Sequence, residues 1–458
     1  MKILQINKFF WPRDGATNYF LAVREQLKQH GHEVVDFSMA HPNNLPSPYR
    51  QYFVSQVDFN QPQSFLKKIK SAGRIIYSLE AKRKLEELIK KEKPDVAHLH
   101  NIYHQLSPSI LSVLKKYKIP TVMTLHDYKL ICPNYLLFTK GRACERCRGR
   151  KYYNAAIHKC VKNSFWRSLI VVLEAYLRPY KKIDCFIAPS RFMKNKCVEF
   201  GVPENKIRYF WHFFDTKQNR SHCEPAEGGR RNPPQSKPSD YSGDYYLPRR
   251  QAGVAHPLRQ LAEGGVAPHN DILAPGNYLL YFGRLSKEKG IDVLLKAIAD
   301  KNVKLKIVGA GPVNPPVGGE NVEWLGYKTG EELKNLISGA LAVVVPSIWY
   351  ENASASVFEA MALAKPVIAS NIGGLPEMIQ TSASRRITGL LFKAGDSHDL
   401  AEKIKFLIDN PELAKQFGQQ AAQWAEKVAN PEEHYQELMK IYMGVILERS
   451  PAVGGTKR

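Results

Sequence analysis

Long apolar runs are missing from this chain of 458 residues. A membrane-spanning helix needs roughly 18 or more consecutive apolar residues. The nearest segment, SFWRSLIVVLEAYL, is too short and contains Arg167 and Glu174. The apolar run at the start of the chain is interrupted by Asn7 and Lys8, and it therefore predicts a first β-strand rather than a signal peptide. We expect a cytoplasmic protein that does not cross a membrane.

Negative charge is also scarce, with 43 Asp and Glu against 66 Lys and Arg, which gives a formal net charge of +23. Such an excess favours anionic partners, namely nucleic acids, acidic membrane surfaces or phosphorylated small molecules. The aromatic residues form no RNP-type motif and no recognition-helix pattern stands out, so we expect no nucleic-acid partner. A basic nucleic-acid-binding protein is kept as the less favoured alternative.

Both halves of the chain alternate short runs rich in Val, Ile and Leu with amphipathic segments, as in KILQI followed by NYFLAVREQLKQHGHEV. This alternation predicts an α/β fold with parallel sheets. One stretch rich in Gly, Pro, Ser and Arg, in which AEGG occurs twice, breaks the pattern. We predict an N-terminal domain over residues 1–215, a linker with a disordered insertion over 216–275, a second domain over 276–430, and a C-terminal helix and tail over 431–458.

The stretch SIWYENASASVFEAMALAKP places two acids, Glu351 and Glu359, around a predicted strand-to-helix turn. A helix N-terminus offers unpaired N–H groups and partial positive charge, so it suits phosphate. Small residues in the turn would let a phosphate approach closely, and the candidate N-caps are Asn352, Ser354 and Ser356. Two acids that flank an anion site could accept hydrogen bonds from sugar hydroxyls, as a nucleotide sugar requires. The alternative is a capped surface helix with two solvated glutamates.

Two cations, Arg284 and Lys289, follow the first predicted strand of the second domain in YFGRLSKEKG. Cations near a helix start suit a diphosphate. The motif VGAGP ends another predicted strand, and Gly309 and Gly311 would permit a close backbone approach.

The order of GRLSKEKG, VGAGP, PSIWYENASASVFEAMALAKPVIAS and GGLPE closely resembles the second domain of retaining glycosyltransferases of family 4. In the first half, MKILQINKFFWP, HGHEV, DVAHLHN and TVMTLHDY resemble the acceptor domain of the same family. The resemblance implies the GT-B fold, in which two Rossmann-like domains with parallel sheets face a cleft. It implies transfer of a sugar from a nucleotide-diphosphate sugar to a glycan or glycolipid acceptor, with retention of anomeric configuration and no catalytic metal.

The resemblance also implies residue roles. Glu359 would bind the ribose of the donor, and Arg284 and Lys289 would hold its diphosphate. Glu351 would lie beside the transferred sugar, with the backbone amides of three neighbours: Asn352, Ala353 and Ser354.

In the first domain, His126 would face the reacting sugar, and Gly15 would let its loop approach the diphosphate and the acceptor. A strand-end histidine with ordinary partners is the alternative for His126. His100 receives no role beyond a position in the cleft, and His98 receives none.

Several positions depart from the family pattern. The first loop, RDGATNY, has a single glycine, Ala364 stands where glycine is frequent, and Asn-Ala-Ser follows Glu351 where Pro-Phe-Gly is frequent. These departures leave the proposed charges in place but bear on which sugar fits. A sugar-nucleotide epimerase and an inactive transferase remain alternatives.

Four of the seven cysteines, Cys132, Cys144, Cys147 and Cys160, follow the LHDYKLICP segment within residues 132–160. The central C-x-x-C pair with one cysteine on each side could bind a structural zinc ion tetrahedrally. Free thiols and an iron–sulfur cluster are the alternatives, and a disulfide is less favoured in a reducing cytosol.

Basic residues cluster in FLKKIKSAGRIIYSLEAKRKLEELIKKEK, which predicts a helix with a cationic face. Such a face would attach the protein peripherally to the anionic inner surface of a membrane, which suits a lipid-linked acceptor. The alternative is a solvated helix face.

Overall fold

A computed structural model describes residues 1–56, 73–177, 179–213, 276–299, 301–313, 320–381, 386–428 and 430–449. The predicted linker over 216–275, Cys223 and the tail beyond Arg449 lie outside these ranges.

The first domain is built on a parallel six-stranded sheet of order β2-β1-β3-β4-β7-β8. Its strands are β1 (Lys2–Ile6), β2 (Glu33–Phe37), β3 (Val96–Leu99), β4 (Thr121–Thr124), β7 (Cys185–Ala188) and β8 (Ile207–Tyr209), and a small antiparallel hairpin pairs β5 (Phe138–Thr139) with β6 (Arg142–Ala143). Its helices are α1 (Gly15–Gln29), α2 (Leu79–Glu92), α3 (Ile110–Lys116), α4 (Tyr153–Ile157), α5 (Phe165–Tyr176) and α6 (Arg191–Glu199).

The second domain repeats this plan, with a parallel sheet of order β11-β10-β9-β12-β13-β16. Its strands are β9 (Tyr278–Phe282), β10 (Lys304–Val308), β11 (Val322–Trp324), β12 (Ala342–Val345), β13 (Val367–Ser370) and β16 (Gly389–Phe392), and β14 (Gln380–Thr381) pairs with β15 (Arg386–Ile387). Its helices are α7 (Ile291–Ile298), α8 (Gly330–Ser338), α9 (Ala355–Ala362), α10 (Leu375–Ile379), α11 (Ser397–Asp409) and α12 (Pro411–Val428).

Each sheet is covered on both faces because alternate side chains of its strands enter different cores. In β1, Leu4 and Ile6 join one apolar cluster, whereas Ile3 joins another on the opposite face. This explains why the strands have nearly continuous apolar sequences. It also leaves the strand ends as the place where polar side chains collect.

The C-terminal helix, α13 (Pro431–Arg449), packs on the first domain although it follows the second in sequence. Leu438 and Tyr442 are fully buried beside Ile3. The Tyr442 hydroxyl lies 2.7 Å from His98 Nδ1. Arg449 donates to Asp184 Oδ1 at 2.6 Å, which fixes the far end of the helix.

Ala364, two residues after the end of α9, adopts a left-handed backbone conformation with φ of 54°. That conformation costs a residue with a Cβ roughly 1–2 kcal/mol. We therefore expect Ala364→Gly to raise the free energy of unfolding by about 1 kcal/mol or less, after the added freedom of glycine in the unfolded chain is subtracted. Thermal unfolding measures the change. Ala360→Gly, within the helix, is the control and should lower the melting temperature, and a lower value for Ala364→Gly would contradict the argument.

Candidate functional site

Glu351 lies in the loop after β12 and is almost completely buried. Its Oε1 accepts hydrogen bonds from Lys289 Nζ and from Ser347 Oγ, each at 2.6 Å. Burial alone would raise the pKa of Glu351, but the charge of Lys289 and these hydrogen bonds outweigh it, so the pKa falls below its ordinary value. The acid is therefore ionised at neutral pH, with Lys289 as its counter-ion.

Glu359 has the opposite environment, on the second turn of α9. No other residue in the described ranges gives its carboxylate a hydrogen bond or an ion pair. Burial raises the pKa of Glu359 to about 7. An acid in such surroundings can accept hydrogen bonds from a ligand without first giving up a protein partner.

Arg284, the second predicted diphosphate ligand, is half exposed, and its guanidinium pairs with Glu288. Glu288 also accepts from Ser286 Oγ at 2.9 Å. Both predicted cations of this loop thus have glutamate partners, and both pairs could rearrange around an anion.

The amides at the start of α9 are not capped by a side chain, unlike the sequence-based expectation. Ser354 precedes the helix but makes no capping hydrogen bond. Ser356 Oγ donates instead to the Phe282 carbonyl at 3.0 Å, and Asn352 Nδ2 donates to the His126 carbonyl at 3.0 Å. The Asn352 Oδ1 atom is buried without a partner in the described part of the chain. The helix N-terminus, with Ala353 in the preceding turn, therefore keeps its N–H groups for another acceptor.

The N-termini of two helices from different domains meet at this point. Helix α1 begins at Gly15, after Asp14, which caps it by accepting from the Thr17 amide at 2.9 Å. A Cβ on Gly15 would lie 3.7 Å from Ala355 Cβ, in the first turn of α9. Both helices direct their partial positive charge toward this region, which favours an anion between the domains.

His126 follows β4 and is held from two sides. Its Nε2 lies 2.9 Å from His100 Nδ1, and its carbonyl accepts from Asn352. Burial lowers the pKa of His126 to about 4, so its ring is neutral near pH 7. His98 lies deeper, with its Nε2 at 2.8 Å from Thr124 Oγ1. A neutral His126 can exchange hydrogen bonds with a hydroxyl group, and His100 orients it.

Each of the two domains matches a known protein family. The family described as Glycosyltransferase Family 4 matches residues 13–218, and the family described as Glycosyl transferases group 1 matches residues 269–424. The chain belongs to glycosyltransferase family 4. The predicted family and the predicted enzyme class are thereby confirmed.

Two relatives and one solved structure illustrate the range of similarity. An uncharacterized glycosyltransferase of Methanocaldococcus jannaschii is 32% identical over 158 residues, which cover 33% of this chain and 44% of that protein. An uncharacterized 42.6 kDa protein in the cps region of Klebsiella pneumoniae is 22% identical, and the alignment covers 97% of this chain and 100% of that protein. The crystal structure of Anabaena HepE with UDP-glucose superimposes with a TM-score of 0.58 at 16% identity, over 97% of this chain and 100% of HepE. The fold is the GT-B fold, as predicted.

Two contacts between the domains were not found by sequence reasoning. The Tyr350 hydroxyl donates to Glu145 Oε1 at 2.6 Å. Glu377 accepts from the backbone amides of Arg191, at 2.9 Å, and Phe192, so it caps α6 from the other domain. The GGLPE motif was the only signal for Glu377, and the sequence held no signal for the contact at Glu145.

The glycines of VGAGP permit a close backbone approach, as expected, and the segment that approaches them is another loop of the same domain. A Cβ on Gly309 would lie 1.9 Å from the Gly283 carbonyl oxygen, and one on Gly311 would lie 2.0 Å from that of Leu285. These glycines let two loops of the same domain pack backbone against backbone. They position the loop that carries Arg284, which explains their presence without a contact to phosphate.

The four predicted metal ligands lie together around one small cavity: Cys132, Cys144, Cys147 and Cys160. These four thiols are free, as are Cys185 and Cys197, which lie in the protein interior. In the described ranges, no group of three or more His, Cys, Asp or Glu side chains is already arranged to hold a metal ion. The same part of the chain contains no helix long and apolar enough to cross a membrane.

Proposed function

We propose that this family 4 enzyme transfers a sugar from a nucleotide-diphosphate sugar to a glycan or lipid-linked acceptor, with retention of anomeric configuration. The observation that carries the proposal is the meeting of two helix N-termini beside the paired Lys289 and Glu351 and the unpartnered Glu359. Positive helix ends and a lysine suit a diphosphate, and a free carboxylate suits vicinal hydroxyls.

In this proposal each group has a defined task. Negative charge develops on the leaving diphosphate, where Arg284, Lys289 and the first amides of α9 stabilise it. Glu359 accepts hydrogen bonds from the ribose. The neutral ring of His126 exchanges a hydrogen bond with the transferred sugar, and Glu351 lies beside that sugar. The chemistry needs no metal ion among these groups.

The donor can be identified by a binding survey. HepE was crystallised with UDP-glucose, so UDP-sugars are the first to test. Calorimetry and a released-nucleotide assay on the full chain should find one nucleotide sugar that binds and is slowly hydrolysed. Failure of every nucleotide sugar and free nucleotide at millimolar concentration would overturn the proposal. Product analysis without acceptor separates transfer from epimerisation, because an epimerase needs no acceptor.

A lipid-linked acceptor is supported by an exposed apolar stripe on α5. Trp166, Leu173 and Leu177 have exposed fractions of 72%, 49% and 67%. At about 100° per residue they lie within roughly 40° of one another around the helix axis. Arg167, Lys181 and Lys182, which are close to these residues in sequence, are exposed. Trp166, Leu173 and Leu177 are called the α5 stripe below. Exposed apolar side chains accompanied by cations suit the interface of an anionic membrane.

A cavity of about 460 Å³ adjoins α5 and has room for part of an acyl chain. Its lining combines apolar residues with charged ones: Leu130, Ile131, Phe186, Phe200 and Val202 on one hand, and Lys129, Arg150, Glu174, Lys181 and Lys206 on the other.

The membrane face first expected from the basic segment receives less support. Residues 57–72 of that region lie outside the described ranges. On α2, acidic residues lie beside several of the cations, since Lys84 pairs with Glu80 and Arg83 lies 3.9 Å from Glu87. The helix surface is therefore of mixed charge, and the α5 stripe is the better candidate.

Vesicle binding tests the α5 stripe. We expect the double variant Trp166→Ser/Leu177→Ser to bind anionic vesicles about tenfold or more weakly, because burial of two large apolar side chains in lipid is lost. Co-sedimentation of the full chain measures this. Leu79→Ser, which removes an equally exposed apolar residue on α2, is the matched control and should bind as the parent does. Equal binding of the parent to neutral and anionic vesicles would contradict the assignment.

A further inference from the structure

We propose that Cys132, Cys144, Cys147 and Cys160 bind one Zn²⁺ ion, and that this ion holds Glu145 against Tyr350 of the second domain. The segment from Cys132 to Cys160 is called the cysteine module below. Its cavity has a volume of about 10 Å³, which is room for one atom-sized sphere. The four cysteines come from three separate parts of the module: the turn after β4, the segment after the β5–β6 hairpin, and the end of α4.

The ligand chemistry matches zinc. A central C-x-x-C pair with two further thiols supplies the four sulfur ligands of a closed structural site. Asn134 and His158 also line the cavity. Cys185 and Cys197, in contrast, do not line this cavity and are buried among apolar side chains of the sheet domain. The four cysteines of the module are therefore distinguished by their common location as well as by their spacing.

The cysteine module also has little else to hold it together. Its regular structure comprises two strands of two residues each, a three-residue 3-10 helix and a five-residue helix. Its own small apolar cluster consists of Cys147, Ala155 and Ala156, which pack with Val172 of α5, while Cys132 and Leu137 join the core of the first domain. A segment with so small a core of its own is the kind of structure that a bound metal or disulfides stabilise most.

Backbone strain also indicates that the cysteine module needs a further stabilising interaction. Five of the twelve described non-glycine residues with positive φ lie between Cys132 and Cys160: Tyr135, Leu137, Lys140, Arg150 and Lys159. Such conformations cost free energy and persist only where other interactions enforce them. Zinc coordination would supply such interactions.

Zinc binding requires local rearrangement of the thiols. Cys132 Sγ now donates to Asn134 Oδ1 at 2.8 Å, and Arg146 Nη1 lies 3.8 Å from Cys144 Sγ. On binding, the four thiols lose their protons and turn their sulfur atoms toward the cavity. The Cys132–Asn134 hydrogen bond is replaced by coordination.

The consequence for the enzyme lies in Glu145, between the two cysteines of the central pair. Its Oε1 accepts from the Tyr350 hydroxyl at 2.6 Å and from Lys196 Nζ at 3.0 Å. Tyr350 directly precedes Glu351, so the cysteine module contacts the loop that carries the buried acid. Glu145 and Tyr350 would thus position the loop that carries Glu351. This role rests on the proposed function.

Metal analysis of the full chain, purified without chelator from zinc-supplemented cells, tests the site. We expect about one zinc per chain in the parent and less than about 0.2 in Cys147→Ala and Cys160→Ala. Cys197→Ala removes a buried thiol outside the module and should keep its zinc. Because a cysteine variant could misfold, the parent is also treated with a mercurial thiol reagent, which should release about one zinc as the thiols react.

Three results would overturn the zinc site. The parent could contain less than about half a zinc ion per chain, or both cysteine variants could contain as much zinc as the parent. The third result is iron with visible absorption in place of zinc. Zinc content is measured without turnover, so a failure here is distinguishable from a failure of the proposed transferase reaction.

The positioning role has its own test. Glu145→Gln should keep its zinc and lower kcat about tenfold, and Tyr350→Phe should do the same. The double variant should lose no more than Tyr350→Phe alone, because both changes act on the same hydrogen bond: glutamine leaves only a neutral acceptor and phenylalanine has no donor. Losses that multiply in the double variant would show that the two residues act independently and would refute the coupling.

Discussion

Replacing Glu359 with glutamine is expected to weaken nucleotide-sugar binding by about 100-fold or more. Two hydrogen bonds from ribose hydroxyls to an ionised carboxylate contribute about 1.5–3 kcal/mol each, and a neutral amide cannot replace them. Calorimetry with the donor found in the survey measures the loss. Glu402→Gln, at an exposed position on α11, is the matched control and should bind with parental affinity. Parental affinity in Glu359→Gln would remove the carboxylate from the donor site.

The same substitution should stabilise the ligand-free protein. Glu359 has a pKa of about 7 in the folded state against an ordinary 4.5. The folded state therefore binds the proton more tightly than the unfolded state, and stability is lost as pH rises from about 4.5 to about 7. The gain in melting temperature for Glu359→Gln should be small near pH 5 and fully developed near pH 8.

The affinity for the donor should depend on the ionisation of Glu359. Because the ionised form of Glu359 accepts the hydrogen bonds, the parent should bind about tenfold more weakly for each pH unit below its pKa of about 7. Nucleotide-diphosphate sugars are suitable probes, since their diphosphate has no titrating group near neutral pH. Glu359→Gln should show no such slope. An affinity in the parent that is constant from about pH 6 to about pH 8 would contradict the assigned pKa or the assigned role.

Lys289→Ala is expected to lower kcat/KM by about 1,000-fold and to destabilise the fold. The substitution leaves the buried carboxylate of Glu351 without its counter-ion, and it removes a cation from the leaving diphosphate. Steady-state kinetics and thermal unfolding measure the two effects. Lys287→Ala, which removes an exposed lysine from the same turn, should change neither quantity appreciably.

A double variant separates the two roles of Lys289. In Lys289→Ala/Glu351→Gln no buried charge is left unpaired, so most of the lost stability should return. Activity should not return, because both charges are absent from the site. If the double variant were as unstable as Lys289→Ala, the lost ion pair with Glu351 would not be the cause of the lower stability.

The sequence predicted those features that depend on local patterns. Strands buried on both faces have continuous apolar runs, so the two parallel sheets could be assigned from segments such as KILQI and LAVVVPS. Glu351 and Glu359 were placed correctly around the start of α9 because a strand, a short polar turn and an amphipathic helix follow in order.

Contacts between distant parts of the chain could not be predicted in this way. The partners Lys289 and Glu351 are 62 residues apart, and Tyr350 and Glu145 are 205 apart. No spacing rule connects such positions. The α5 stripe was missed for another reason: apolar residues at helical spacing are typical of a core face, and only the surrounding structure shows that this one is exposed.

The docking of α13 on the first domain means that the chain passes between the two sheet domains twice. One passage leaves the first domain after Phe213, and the other follows Val428 at the end of α12. Two passages permit the domains to turn about a common axis but oppose their separation. A single backbone cleavage between residues 214 and 275 would thus yield two fragments that stay associated, because the buried side chains of Leu438 and Tyr442 would still anchor the second fragment to the first.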